Sequence, residues 1–534
     1  MTPDPTAPPV ALRRPANPWL VAGAVVIPTF MEVLDTTIAN VALRYIAGGL
    51  SAPAADSEWV ITSYLAANAV VLPISGWLGG RLGRRNYFLL SIAVFTLASG
   101  LCGAATSLGG LVAARVLQGL AGGGLQPSSQ AVLLDTFPPA RQGLAMTLFG
   151  VAALLAPVVG PTLGGYVTDT YGWRWIFYLN IPVGLLALAL CHAVVTDPPY
   201  LTARRAGRRG GRFDGLGLGL LAVAMLCWEV LLSKGQEWDW LGDPFRRVHA
   251  LALLFALSLC GLVIRELRVA DPLIDLRTLG DRNFRACCAI GFGAFALLYA
   301  NTTTLPGLLQ SLFGYDATRS GLVLSPAGVG AVLVLLVTGA LLTRGVDARH
   351  LIAAGLLTLV AGNLWMSRLN LEVGPWQVVW PRVAVVAGLS MIVAPLNVAA
   401  FRHVRPELRG AAVGLLALLR NEGGSVGTSV ARTVHDRRGQ FHALRLNEGL
   451  DPLNPAVAEF LARGKSLFAQ RTGNPPLAEQ LALAALEQLR LQQASSLAYF
   501  DVFWASAVLG AGLVLLVPLL RRSAAARGAH VAAE

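Results

Sequence analysis

Lysine is almost missing from this chain: of 42 basic residues only Lys234 and Lys465 are lysines. Charge of either sign is scarce, at 13% of 534 residues, against about a quarter in ordinary soluble domains. A soluble core stops growing beyond roughly 250–300 residues and needs a polar coat. This chain lacks the residues to make one, which excludes a soluble enzyme and a disordered protein. Cysteine is sparse as well. Cys102, Cys191, Cys227, Cys260, Cys287 and Cys288 fall in or beside apolar runs, without metal-ligand spacing or a disulfide framework, and are expected to be small core residues. No nucleotide loop, metal cluster or nucleophile–base pairing is found, which speaks against an enzyme and against a resident cofactor or metal. His435, Asp436 and His442 are too few for a metal site. What is present is apolar: 55% of residues are hydrophobic and the mean hydropathy is +0.59. The composition is that of a polytopic membrane protein.

A helix needs about 20 apolar residues to cross the hydrocarbon core. Fourteen segments qualify: 18–44, 58–80, 86–106, 109–135, 141–167, 174–196, 214–232, 248–267, 286–310, 319–342, 350–368, 379–401, 409–433 and 498–520. They are spans 1 to 14. Span 1 follows Arg13 and Arg14 but runs on to Glu32 and Asp35 without a cleavage site, so it is expected to be retained. With the N-terminus inside, the inner segments collect 24 of the 42 Lys and Arg, and the six short outer loops hold 7. Positive charge accumulates on the cytoplasmic side, so both termini are expected there. This topology also explains the net charge of +12 without invoking nucleic acid.

An internal repeat appears at nearly constant offset. Gly76–Arg81 ends span 2 as Gly339–Arg344 ends span 10. Arg115 with Pro127 in span 4 is echoed by Arg382 with Pro395 in span 12. Pro138-x-x-Arg141 and Pro406-x-x-Arg409 open spans 5 and 13. Spans 1–6 therefore match spans 9–14, with spans 7–8 inserted. The expected organisation is a cytoplasmic tail (1–17), a six-helix half (18–196), a linker with two inserted helices (197–285), a second six-helix half (286–520) and a tail (521–534). Residues 434–497 are expected to form a long periplasmic loop, with 477–492 as a helix presenting Leu and Ala on one side. Paired halves suggest a transporter with a central site and alternating access.

Five constellations bear chemistry. In span 1, Glu32 and Asp35 stand three apart and share a helix side. In span 4, Arg115 cannot readily reach water, so it needs a carboxylate or a cavity, and Asp35 is the natural partner. Arg115 favours the ionised carboxylate and burial favours the protonated one, so such a carboxyl can load and release a proton. The basic turn with Gly76, Arg81, Gly83, Arg84 and Arg85 is expected to latch onto Asp135 at the inner end of span 4. In span 5, Ala152, Ala156, Gly160 and Gly164 line one face, flanked by Pro157, Pro161 and Gly165, and allow close helix approach. Span 13 adds Arg420, Glu422, Gly423 and Gly427, and span 7 holds a lone acid, Glu229. Asn68, Gln118, Gln126, Asn301, Gln310 and Arg420 are the polar residues expected along a midplane cavity.

The Gly76–Arg85 turn, Arg115-x-x-Gln118-Gly119 and Gly160-Pro161-x-x-Gly164-Gly165 resemble the major facilitator superfamily, the last in its antiporters. Leu34–Ala42, Trp59–Tyr64, Trp173–Pro182 and Arg420–Gly427 narrow this to the fourteen-span drug:proton antiporter family of EmrB type. The resemblance spans roughly 18–520. It implies an all-α fold of two six-helix halves plus two inserted helices, residing in a bacterial inner membrane. It implies export of hydrophobic or cationic, drug-like compounds driven by the proton gradient. Asp35 and Arg115 would serve proton coupling, with Glu32 and Glu422 behind them. A periplasmic membrane-fusion adaptor and outer-membrane channel would be partners. Two positions depart from the family pattern: Gly80 replaces an Asp of the first loop, and Glu422 replaces an apolar residue. The alternatives are a proton-coupled exporter or importer of one metabolite and a non-transporting sensor.

Overall fold

In hydrocarbon a backbone amide finds no water, so a chain of this composition satisfies its peptide groups within helices. The computed structural model describes residues 17–138, 141–198, 214–269, 272–315, 317–405, 408–451 and 453–522, and among these there is helix but no strand. Side-chain caps set several helix starts. Asn17 accepts from the amide of Trp19 at span 1, Asp214 from Gly217 at span 7, Asp281 from Phe284 at span 9 and Asp347 from Arg349 at span 11.

Each span corresponds to a helix or a helix pair. The first half comprises Pro18–Gly49, Trp59–Leu82, Arg84–Ala104, Leu108–Gly122 with Leu125–Thr136, Gln142–Tyr171, and Trp175–Tyr178 with Asn180–Val194. The inserted pair is Gly215–Lys234 and Arg247–Arg268. The second half comprises Arg282–Ser311, Ala317–Thr343, Ala348–Met366, Pro375–Phe401, Arg409–Glu448 and Pro475–Val514. By length and composition eleven of these are apolar enough to cross a membrane, twelve with the bent span 5. Spans 11 and 13 fall short because the first begins with Arg349 and His350 and the second contains Arg420 and Glu422. They nonetheless pack within the bundle.

The packing is two-fold in pattern. Span 1 packs on spans 5 and 6, and span 4 on spans 2 and 3. Span 9 packs likewise on 13 and 14, and span 12 on 10 and 11. The halves meet where span 5 lies along span 10 and span 2 along span 13. Spans 7 and 8 pack on each other, and span 7 reaches both span 2 and span 13. Span 4 breaks at Gly123 and Gly124, where span 3 comes so close that a Cβ on Gly124 would collide with the Tyr87 hydroxyl. Span 5 bends by 48° between Pro157 and Thr162, where proline removes an intrahelical bond.

Residues 434–497 are not a loop. Span 13 continues unbroken for 40 residues, a separate helix covers Pro455–Thr472, and span 14 begins at Pro475. The stretch is rich in Ala, Leu, Arg, Gln and Glu, all strong helix formers, and breaks only around Asp451 and at Gly473–Asn474. Hydropathy marks where apolar sequence ends, and here the helix does not end with it. The helix expected over 477–492 is the first part of the span 14 helix. Span 14 is pinned to the continuation of the span 13 helix where Asp501 accepts from Arg438 at 2.5 Å and contacts His442 at 2.7 Å. Five cysteines are buried, but Cys260 on span 8 is exposed, which corrects its reading as core. The tails 1–16 and 523–534, the arginine-rich 199–213, Pro406 and the side chains of Arg44 and Pro161 lie outside the described residues.

Candidate functional site

Asp35 sits 3% exposed in mid-span and is surrounded by donors. Arg115 Nη1 lies 2.5 Å from Asp35 Oδ2, while Gln118 Nε2 (3.0 Å) and Asn180 Nδ2 (2.7 Å) donate to Oδ1. Spans 1, 4 and 6 thus converge on one carboxylate. Arg115, fully buried, is itself held by Nε donating to the Val60 carbonyl at 3.0 Å and Nη1 to Gln118 Oε1 at 2.7 Å. Its guanidinium carbon lies 4.3 Å from the centre of the Tyr64 ring and 5.7 Å from that of Phe177. Asn180 also donates to Ser99. A buried ion pair survives only when its remaining hydrogen-bond capacity is filled, and this network fills most of it.

Glu32, one helical turn away, has a different environment. Gln126 Nε2 donates to Oε2 at 2.6 Å, and Tyr64 Oη (3.2 Å) and Asn68 Nδ2 (3.3 Å) donate to Oε1. Every donor here is neutral, whereas Asp35 has a cation. Tyr64 belongs to both networks, its hydroxyl to Glu32 and its ring face to Arg115.

Between the halves lies a cavity of about 220 Å³ whose wall includes Thr36, Thr62, Glu229, Tyr299, Asn421 and Ser425. It is bounded by spans 1 and 2, inserted span 7, and spans 9 and 13. At its mouth Glu58 accepts from Arg432 at 3.1 Å and lies 3.4 Å from Lys234, joining one half, the other half and the insert. None of the six polar residues expected to line a cavity is in this wall. Asn68, Gln118 and Gln126 instead serve the two carboxylates. Asn301 donates to the Leu297 carbonyl, Gln310 is exposed, and Arg420 is buried with its guanidinium carbon 5.4 Å from the Phe295 ring centre.

The opposite end of the halves is shut. A Cβ on Gly76 would meet the backbone of Gly410 at 2.5 Å, so spans 2 and 13 touch main chain to main chain. Here Arg84 pairs with Asp135 and also donates to the Ala131 carbonyl at 3.2 Å. Arg85 donates to the His192 carbonyl, and Arg81 lies over Trp77. Gly83 turns the chain with φ +90°, a conformation that glycine adopts without penalty. Farther along, Gly160 and Gly164 admit Thr37 and Ile38 of span 1, and Gly165 is buried behind them. Of the network residues, Tyr64 and Asn180 escape the motif reading of function, although each falls in a polar gap of an apolar run, Trp59–Tyr64 and Trp173–Pro182.

Charged residues buried inside a bundle of two matching six-helix halves, with a cavity between the halves, fit a secondary-transporter architecture. The sequence profile of the Major Facilitator Superfamily matches residues 25–428. "Multidrug export protein EmrB" of Escherichia coli (strain K12) is 33% identical over 491 residues, covering 91% of this chain and 92% of that protein. "Fatty acid resistance protein FarB" of Neisseria gonorrhoeae is 32% identical, covering 92% and 93%. Among solved structures, the proton:xylose symporter XylE aligns with a TM-score of 0.56 at 14% identity over 93% of this chain and 94% of that one. The human organic anion transporter MFSD10 aligns at 0.54 and 15%, over 94% and 100%. The chain belongs to the major facilitator superfamily, as a multi-pass membrane protein. Within that superfamily it is of EmrB type.

Proposed function

We infer that this chain exports hydrophobic or amphipathic, drug-like compounds across a bacterial inner membrane in exchange for protons. The observation that supports this most is the Asp35–Arg115 pair. The carboxylate lies 2.5 Å from a guanidinium, and Gln118 and Asn180 donate to its second oxygen, the arrangement that suits an ionised carboxyl. Ionised, it pairs with Arg115. Protonated, it becomes a donor and releases Arg115, which changes how spans 1 and 4 hold together. Proton binding can thereby bias a two-state bundle. The cavity at the interface of the halves supplies room for substrate, with the aromatic Tyr299 and the apolar Leu65 and Ile61 in its wall. Both termini lie on the cytoplasmic side in this reading, and the shut end with Arg84 and Asp135 is the cytoplasmic one. No cofactor is needed beyond the proton gradient. The helical extension over 434–497 would then stand in the periplasm, where a membrane-fusion adaptor leading to an outer-membrane channel would dock.

The test is substrate-triggered proton release from proteoliposomes under an imposed pH gradient, using a panel of lipophilic cations and neutral drugs. Wild type should release protons and Asp35→Asn should not. An unchanged signal in the variant would remove Asp35 from the coupling step. Silence of wild type across the panel would count against drug export.

A further inference from the structure

The inserted helices are more than a spacer, because span 7 brings an acid to the second half. Glu229 is 2% exposed and Glu422 of span 13 is 6% exposed, and the two carboxyls lie side by side. Ser425 Oγ donates to Glu229 Oε1 at 3.0 Å. Both oxygens of Glu422 are buried without a full hydrogen bond, and the polar groups near them are the Trp228 indole and the Glu229 carboxyl.

The surroundings offer no compensating cation. Span 8 presents Phe255, stacked on Trp228 with ring centroids 4.8 Å apart. Span 9 presents Tyr299. On span 13 itself, Arg420 is directed onto Phe295 and Arg432 is engaged by Glu58. On span 7, Lys234 is engaged by Glu58 of span 2 and by Glu237. Among the described residues, no lysine or arginine forms an ion pair with either carboxyl.

Two adjacent buried carboxylates without a counter-ion repel strongly, and an unpaired buried charge is among the costliest features a fold can hold. One proton between them removes the repulsion and gives Glu422 the hydrogen-bond partner it lacks. Because Glu229 also forms part of the cavity wall, that proton has a polar route out through Ser425 and Asn421. We propose that Glu229 and Glu422 form a second proton-binding site, shared between the inserted helix and the second half and opening on the interface cavity. It is separate from the Asp35 site, which lies wholly within the first half. The proton moves without redox change: it bridges the two carboxyl oxygens when bound and leaves to water in the cavity, and the dianion left behind drives span 7 from span 13. The insert thereby takes part in coupling.

This inference rests in part on the proton-driven export reading, so its experiment has two arms. The first is infrared difference spectroscopy of the purified full chain across a pH titration. Wild type should show a protonated-carboxyl C=O band that is lost in Glu229→Gln/Glu422→Gln, in which amides replace acids of similar shape. A band unchanged in that variant would overturn the proposal. The second arm is the proton-to-substrate ratio in proteoliposomes. In the double variant the ratio, read per substrate carried whatever the rate of transport, should fall by one proton. An unaltered ratio would also overturn the proposal. If wild type transports nothing, the export reading fails, and the infrared arm still judges the pair.

Discussion

The Tyr64 ring lies under the Arg115 guanidinium, 4.3 Å from its central carbon, while the Tyr64 hydroxyl reaches 3.2 Å to Glu32. One side chain of span 2 therefore touches both acidic networks of span 1. Tyr64→Phe should separate these roles. The cation–π contact stays, and Glu32 loses one of three donors, at a cost of about 1 kcal/mol. Thermal unfolding should show a small loss, whereas Tyr64→Ala should show a larger one because the ring under Arg115 is gone.

Arg115→Ala should be severe. Removing one partner of a buried pair leaves an uncompensated charge and costs about 3–5 kcal/mol. Adding Asp35→Asn to it should restore part of the stability, since the orphaned carboxylate disappears. Unfolding temperatures of the two single variants and the double variant form a cycle. Simple additivity would mean that the pair is not coupled.

Gly76→Ala should act on conformation. Its Cβ would meet main chain of Gly410 rather than a movable side chain, so spans 2 and 13 must part at that end. Spin-label distances across this junction should lengthen. The corresponding distances across Glu58 and Arg432 at the far end should not lengthen with them, as alternating access exchanges one closure for the other.

Glu58→Gln should weaken the far closure. Glu58 is shared by Arg432 and Lys234, so a single neutral substitution loosens the contact of the first half with both the insert and the second half. Cysteine accessibility in the cavity wall, for instance at Ser425→Cys, should rise in this background.

The turn between spans 7 and 8 has its own pH dependence. Hydrogen bonds from the Arg247 side chain, aided by the amides of Phe245, Val248 and Arg247, hold the Asp243 carboxyl down at about 2. A depressed carboxylate stabilises the fold above its unfolded-state value, and that contribution disappears as pH falls toward the folded value. Hydrogen exchange in the first turn of span 8 should be slower in wild type than in Asp243→Asn at pH 7. The difference should close only as pH approaches about 2.

How far the sequence led depended on the kind of signal. Asp35 and Arg115 were legible because a charge in an apolar run is conspicuous and each type calls for the other. Their pairing needed only that spans 1 and 4 be neighbours. Arg84 with Asp135 was legible in the same way. Asn180 and Tyr64 were not, since a neutral polar residue in a span is unremarkable until helices from elsewhere aim it at a carboxylate. Glu229 and Glu422 read as two isolated acids, because nothing in either segment says that span 7 docks on span 13. The 434–497 segment shows another limit. Hydropathy marks where apolar sequence ends, and only 477–492 carries a helical pattern plain enough to read, whereas Ala, Leu and Arg continue the flanking helices past that point.

Two helices of 40 residues, each about 60 Å long at 1.5 Å per residue, leave the second half side by side. The hydrocarbon layer takes up about 30 Å of that length. The remainder is a stiff double strut continuous with the helix that bears Glu422. A tilt of the second half is not absorbed by a hinge at the membrane surface. It is magnified at the tip, so that a body resting there would be displaced once per transport cycle by the same stroke that moves the substrate.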